Sequence, residues 1–165
     1  MKITRLTIND LDKILELQNI IEKNLPNKNL FFTNDRFYFE NILKQNSNLF
    51  VGIYDSDELI SYSLLILNTN SYKRFFKELE LTPSLKSADF DIVVVKPSHR
   101  GKGIHSIYIN YFHEVLKQID YNEVYATVHP DNNHSLDNFI KNGYEVVSKI
   151  EKRNGKSRLF IKKKL

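Results

Sequence analysis

Apolar positions recur along this chain with two periods, and the switches between them mark its elements. Lys2 to Ile8 reads as a first strand. Asn9 or Asp10 can cap the helix that follows, where Leu11, Ile14, Leu15, Leu17 and Ile21 form one apolar stripe. Pro26 and the Asn/Lys cluster around it end that helix. A second helix is predicted from Asn34 to Gln45, with Phe37, Ile42 and Leu43 turned inward. Leu49 to Tyr54 and Glu58 to Leu67 read as two strands of an antiparallel hairpin, joined by the turn residues Asp55, Ser56 and Asp57. The second of these is nearly all apolar at its far end, which predicts a central place in the sheet. Asn68 to Ala88 breaks the pattern. It holds a possible short helix over Tyr72–Leu79 and reads equally as a surface flap or as a lid.

The second half is more regular. Ile92 to Val95 is a β-branched run that reads as a buried strand, ended by Pro97. Ile104, Ile107, Tyr108, Tyr111 and Val115 recur at helical spacing, predicting a helix to about Ile119. Glu123 to Val128 is a further strand, and a strand–helix–strand unit of this length makes a parallel crossover. Asn132 to Asn142 is a short helix with Leu136, Phe139 and Ile140 as its apolar side, closed by Gly143. Tyr144 to Glu151 and Ser157 to Lys164 are strands around an Asn154-Gly155 turn.

Composition narrows the classes. The 165 residues suit one domain, residues 1–165, with one substantial core. An apolar content of 41% predicts a globular rather than a disordered chain. Cysteine is absent, which removes disulfides, thiolate metal sites and a cysteine nucleophile together. No apolar run approaches a membrane span, and no signal-peptide h-region opens the chain, so a cytoplasmic protein without membrane attachment is the expectation.

The net charge of +4 directs attention to anions, and one stretch concentrates the chemistry for them. Between the strand at 90–95 and the helix that follows lies a basic loop with Arg100, Gly101, Lys102 and Gly103. The first turn of a helix presents backbone N–H groups without partners, and the helix dipole adds partial positive charge there. Glycines permit left-handed backbone and close approach, and two full charges stand beside them. A phosphate or pyrophosphate is the expected guest, against the plainer reading of a solvated basic turn. The dinucleotide fingerprint G-x-G-x-x-G is not met, since Ser106 stands at its third glycine. The phosphate loop G-x-x-x-x-G-K-S/T occurs nowhere.

The loop resembles the pyrophosphate loop of the GNAT acyltransferases, V-x-P-x-x-R/Q-x-x-G-x-G/A. Val95, Pro97, Arg100 and Gly103 match, and His105 stands at the last, usually small, position. A second stretch resembles the family's N-x-x-S/A-x-x-x-Y-x-K-x-G-F/Y. Asn132, Ser135, Lys141, Gly143 and Tyr144 match, and Phe139 replaces the tyrosine. The resemblance covers the predicted order of elements from end to end, with 68–88 as its atypical part. It implies an α/β (α+β) GNAT-like fold: a central mixed, mostly antiparallel sheet flanked by helices, with a parallel strand pair splayed at the acetyl-CoA site.

What the resemblance implies for the residues is specific. Acetyl-CoA is the cosubstrate, with no metal. Backbone groups of Val93, Val94 and Val95 pair with its pantetheine arm. Gly101, Lys102, Gly103, Ile104, His105 and Ser106 hold the pyrophosphate with Arg100. Asn132 bonds the arm or a water on it, beside its plainer role as a helix cap, and Ser135 and Phe139 complete that side. Asp91, then Asp89, are the candidate bases for an amine attacking directly; the plainer reading is a pair of exposed strand-end acids. Some relatives carry a glutamate at the position held here by Thr127, which cannot serve. Phe139 cannot protonate the leaving thiolate, which leaves another hydroxyl such as Tyr108 or Tyr144, water, or departure of the thiolate with no acid at all.

Other groups carry weaker signals. His99, His105, His113, His129 and His134 lack metal-ligand spacing. The aromatics Phe31, Phe32, Phe37, Tyr38 and Phe39 read as helix–sheet packing or as the wall of an acceptor pocket. The basic residues Lys152, Arg153, Lys156, Arg158 and Lys162 to Lys164 fit a charged edge hairpin better than a nucleic-acid surface. The expected activity is N-acetyl transfer to a primary amine of a small molecule or a protein N-terminus, by a monomer or homodimer. The rivals are a CoA-binding sensor or interaction module without turnover and a basic nucleic-acid-binding domain.

Overall fold

A computed structural model describes every residue except 46, 68–76, 78–79, 81–85 and 152–155. The elements, in order, are β1 (Ile3–Arg5), α1 (Leu11–Lys23), α2 (Arg36–Lys44), β2 (Leu49–Asp55), β3 (Glu58–Leu67), β4 (Ser87–Val95), α3 (Ile104–Gln118), β5 (Glu123–Val128), α4 (Asn133–Lys141), β6 (Glu145–Glu151) and β7 (Ser157–Lys164). Short 3-10 turns at Ile8–Asp10, Lys28–Leu30 and Pro97–His99 join them. The expected short helix at 72–79 and the Asn154-Gly155 turn lie outside the described residues.

One seven-stranded sheet runs in the order β1-β2-β3-β4-β5-β7-β6. Every neighbouring pair is antiparallel except β4 and β5. This is the mixed, mostly antiparallel sheet expected. Helices cover both faces. On one, α3 and α4 bury Ile104, Tyr108, Phe112, Leu116 and Phe139 against Phe90, Val124, Ala126 and Ile161. On the other, α1 and α2 bury Ile14, Leu17, Ile21 and Phe39 against Phe50, Tyr62, Leu64, Ile92 and Val94.

Helix ends follow local chemistry. The first strand ends at Arg5, short of the predicted Ile8, because Asp10 turns the chain: its Oδ2 accepts from the Thr7 N–H at 2.7 Å and from the Thr7 hydroxyl at 2.9 Å. At the end of α4 the Gly143 N–H bonds the Ile140 carbonyl and the Tyr144 N–H bonds that of Phe139, with Gly143 at φ +84°. Two apolar assignments differ from expectation. Phe37 was expected inward and is 71% exposed, because the Asp35 cap sets a register that turns Phe39 and Ile42 to the core instead. Ile140 is likewise exposed while its neighbour Phe139 is buried.

Candidate acetyl-CoA and acceptor site

The centre of the sheet opens. Parallel pairing of β4 with β5 runs from Ser87 opposite Glu123 to Phe90 opposite Ala126. Beyond it β4 continues to Val95 on β3, and β5 continues to Val128 on β7. At the same place β4 bulges. Leu64 pairs with Ile92 and Leu65 with Phe90, so Asp91 is the extra residue. The bulge switches faces: Ala88 and Phe90 pack toward α3, whereas Ile92 and Val94 pack toward α1 and α2. Strict alternation would keep all four on one side. Ser63, buried on β3, donates its hydroxyl to the Ile92 carbonyl at 2.7 Å and fastens the bulge.

Because β4 and β5 are parallel, the loops that follow them lie at one end of the sheet. The first loop carries Gly101 at φ +76° and Gly103 at φ +73°. A Cβ added at either would meet no atom within 4 Å, so both face open space. Arg100 and Lys102 are exposed beside them, and the Arg100 Nε donates to the Val95 carbonyl at 3.4 Å. Gly103 precedes α3, whose first-turn N–H groups at Ile104, His105 and Ser106 have no intrahelical partner. An anion cradle therefore stands next to the strand split, and a pyrophosphate fits it in charge and in space.

The second loop ends in Asn132, which caps α4 by accepting from the Ser135 N–H at 3.2 Å. The helix-cap reading of Asn132 thus holds. Helices α3 and α4 meet at Ser106, whose hydroxyl accepts from Asn142 Nδ2 at 3.1 Å, and at His105, whose ring stands edge-on to Phe139 at 4.8 Å. The two departures from the family pattern are in contact. Phe139 is 3% exposed and also meets Phe90 and Tyr144 edge-on. Burial pushes His105 down to about 4, so its ring is neutral at pH 7, and its buried Nε2 has no hydrogen-bond partner among the described residues. Neither tyrosine considered in place of a residue-139 hydroxyl is available. The Tyr108 hydroxyl bonds Ser61 at 2.8 Å and that of Tyr144 bonds His113 at 3.1 Å, both inside the core.

The acid pair divides. Asp89 is 2% exposed, within the paired part of β4 and opposite Tyr125. Asp91 is exposed at the bulge. They are not strand-end acids, since β4 starts at Ser87. The Tyr38 hydroxyl donates to Asp91 Oδ2 at 2.6 Å, and burial together with the charges of Asp91 and Asp89 raises the phenol well above its ordinary range. Thr127 lies on β5 opposite Phe160. Sequence reasoning counted Tyr38 only among the aromatics and passed over Ser63. The available signal for Ser63 was a serine pair, Ser61 and Ser63, at period two inside an apolar strand.

Of the basic C-terminal residues, 152 and 153 lie outside the described residues, and several of the others are engaged. Arg158 is 3% exposed, Lys162 pairs with Glu145 at 3.4 Å, and Lys163 donates to the Asn142 carbonyl at 2.7 Å. Among the described residues no three His, Cys, Asp or Glu side chains converge as metal ligands, and no helix is long and apolar enough to cross a membrane.

Comparison with known proteins agrees with this geometry. The Thermoplasma acidophilum PaiA N-acetyltransferase, solved with coenzyme A, superimposes with a TM-score of 0.73 at 16% identity, over 99% of this chain and 98% of that one. Chaetomium thermophilum Naa20, solved with a bisubstrate analogue, gives 0.77 at 19% identity over 100% and 87%. The Brucella melitensis ribosomal-protein-alanine N-acetyltransferase gives 0.73 at 17% identity over 100% of both chains. At these identities the likeness is one of fold. No curated protein sequence matches the chain. A sequence profile of the acetyltransferase (GNAT) family does match, over residues 12–144, and with the split sheet and its glycine loop behind that match, this chain belongs to the GNAT family of acetyltransferases.

Proposed function

We propose that the chain transfers the acetyl group of acetyl-CoA directly to a primary amine. The observation that carries this reading is a coincidence of position. Pairing of β4 with β5 ends at Phe90 and Ala126, Asp91 bulges at the next residue, and the open glycines Gly101 and Gly103 lead into α3 at the same end of the sheet. Coenzyme A in the PaiA structure and the bisubstrate analogue in the Naa20 structure support the same guest here.

In this reading Arg100, Lys102 and the first-turn N–H groups of α3 hold the pyrophosphate, while Val93 to Val95 offer backbone groups to the pantetheine arm. Asn132 and Ser135 shape the far wall as the start of α4. The thioester supplies an activated acetyl group. The acceptor nitrogen forms a bond to the acetyl carbon, the carbon–sulfur bond breaks, and CoA leaves as the thiolate. An alkylamine is protonated at pH 7, so a base must first take a proton, and Asp91 is the exposed carboxylate next to the opening. Asp89, buried two residues earlier on the same strand, adds negative charge near the Tyr38 hydroxyl. Water returns a proton to the thiolate, since Phe139 carries no hydroxyl and Tyr108 and Tyr144 are engaged in the core. Binding of both reactants in one opening supplies much of the acceleration.

A second reading, a CoA-binding module without turnover, is favoured by the buried Phe139 alone. One experiment separates the two. Acetyl-CoA affinity is measured by calorimetry, and release of free CoA thiol is followed with spermidine, lysine, kanamycin and peptides bearing a free N-terminal alanine or methionine. Binding with amine-dependent thiol release supports the transferase. Binding without release supports the module, and absence of binding removes both.

A further inference from the structure

We propose that Tyr38 is a positioning residue of the transfer reaction, its hydroxyl fixing the Asp91 carboxylate in the orientation from which it takes the acceptor's proton. This rests on Asp91 as the base. Asp91 is the extra residue at the β4 bulge, between Phe90 and Ile92, and it is exposed. A carboxylate there would sample several rotamers if nothing held it. The Tyr38 hydroxyl donates to Oδ2 at 2.6 Å, a bond that fixes the plane of the carboxylate.

The holder is itself held. Asp35 caps α2 by accepting from the Tyr38 N–H at 2.8 Å, and the Tyr38 ring stands edge-on to Phe39 at 5.5 Å. Just before it, Asn34 is clipped twice by the buried Gln18 of α1, donating its N–H at 2.9 Å and accepting on its carbonyl at 2.8 Å. Further back, Arg158 of β7 binds the Asn29 carbonyl at 2.9 Å. The α1–α2 connection is thus fastened to α1 and β7, and Tyr38, in the first turn of α2, ties the helix that follows to β4. The charged groups acting on the phenol are Asp91 and Asp89 of β4, and both keep it protonated as a donor. Donation to a carboxylate favours its charged form, so removing the bond should move the acid limb of the reaction upward.

The test is Tyr38→Phe, which keeps the ring and removes the hydroxyl. It is compared with the native protein and with Asp91→Asn by thermal unfolding, by acetyl-CoA calorimetry and by kcat/KM against pH. The acceptor is whichever amine of the panel above gives the highest rate. The expected result is acetyl-CoA affinity within about two-fold of native, a kcat lower by about ten-fold, and an acid limb moved upward by about half to one pH unit. Native kcat with an unmoved acid limb would overturn the proposal, as would a loss of acetyl-CoA affinity in parallel with kcat, which marks a structural role. If Asp91→Asn turns over like native, or if no amine reacts, the base assignment falls and takes the proposal with it. An inactive Asp91→Asn beside an unchanged Tyr38→Phe removes the proposal alone.

Discussion

Arg158 and Asn29, 129 residues apart in sequence, are joined by a 2.9 Å hydrogen bond from the guanidinium to the backbone carbonyl. The guanidinium also lies 4.2 Å over the Phe32 ring and donates to the Ser157 carbonyl at 2.8 Å. It is almost wholly buried, and Lys156, just before the last strand, also lies over the Phe32 ring at 4.9 Å, so this end of the chain closes over the α1–α2 connection. Arg158→Met leaves the Asn29 carbonyl without that donor and is expected to cost about 1–3 kcal/mol. Thermal unfolding checks it, at roughly 2–4 °C per kcal/mol for a chain of this size. Arg158→Lys keeps the charge and loses the planar fork that stacks on Phe32, so it recovers only part of the loss.

Stability should fall on acidification through the histidine range. Burial pushes both His105 and His113 down to about 4 in the folded chain, with Lys163 and Lys117 adding to the shift at His113. Unfolded, each titrates near its ordinary value. Between about pH 6.5 and pH 4 the unfolded chain therefore binds more protons, and stability rises with pH across that window and is fully present above it. Melting temperature followed from pH 4 to 7.5 checks the slope. His105→Phe, which removes a buried nitrogen with no hydrogen-bond partner among the described residues, should flatten it.

The glycine loop separates folding from binding. Gly103 sits at φ +73° with open space around its missing side chain, so Gly103→Ala costs only the left-handed backbone, about 1–2 kcal/mol. The added methyl nevertheless occupies the cradle and should weaken acetyl-CoA binding by more than ten-fold in calorimetry. Arg100→Glu places a negative charge at the pyrophosphate position and should abolish binding with little change in melting temperature.

Tyr108 is structural in this account. Its hydroxyl bonds Ser61 at 2.8 Å in the core. Tyr108→Phe leaves Ser61 without that partner and should cost about 1–3 kcal/mol. Its kcat should remain native, measured on the folded variant below its melting temperature. A large loss of kcat at native acetyl-CoA affinity would make Tyr108 the proton donor instead.

Local patterns made most of the architecture legible. The β-branched run at 92–95, the helical spacing from Ile104 and the glycine past α4 each act over a few residues, and all three elements stand where expected. The loop from Arg100 to Ser106 was legible for the same reason, because its chemistry is contiguous. Contacts between distant segments were not. Tyr38 reaches Asp91 only because α2 packs across β4, and Arg158 reads as one more basic residue until β7 is seen under Asn29. The bulge at Asp91 left no mark either: it depends on the register between β3 and β4, which no single strand encodes. Phe37 was misplaced because one capping bond at Asp35 sets which face of a short helix turns inward.

The proposed reaction depends on acetyl-CoA entering the opening between β4 and β5 with its pyrophosphate on the Gly101–Gly103 loop. Thermal-shift titration with acetyl-CoA, CoA and NAD, on native protein freed of carried-over cofactor and on Gly103→Glu, tests it most directly. A ligand bound only by the folded state raises the melting temperature. The expected result is a rise with acetyl-CoA and CoA, none with NAD, and no rise in Gly103→Glu. No shift in native protein, or an equal shift in the variant, would contradict it.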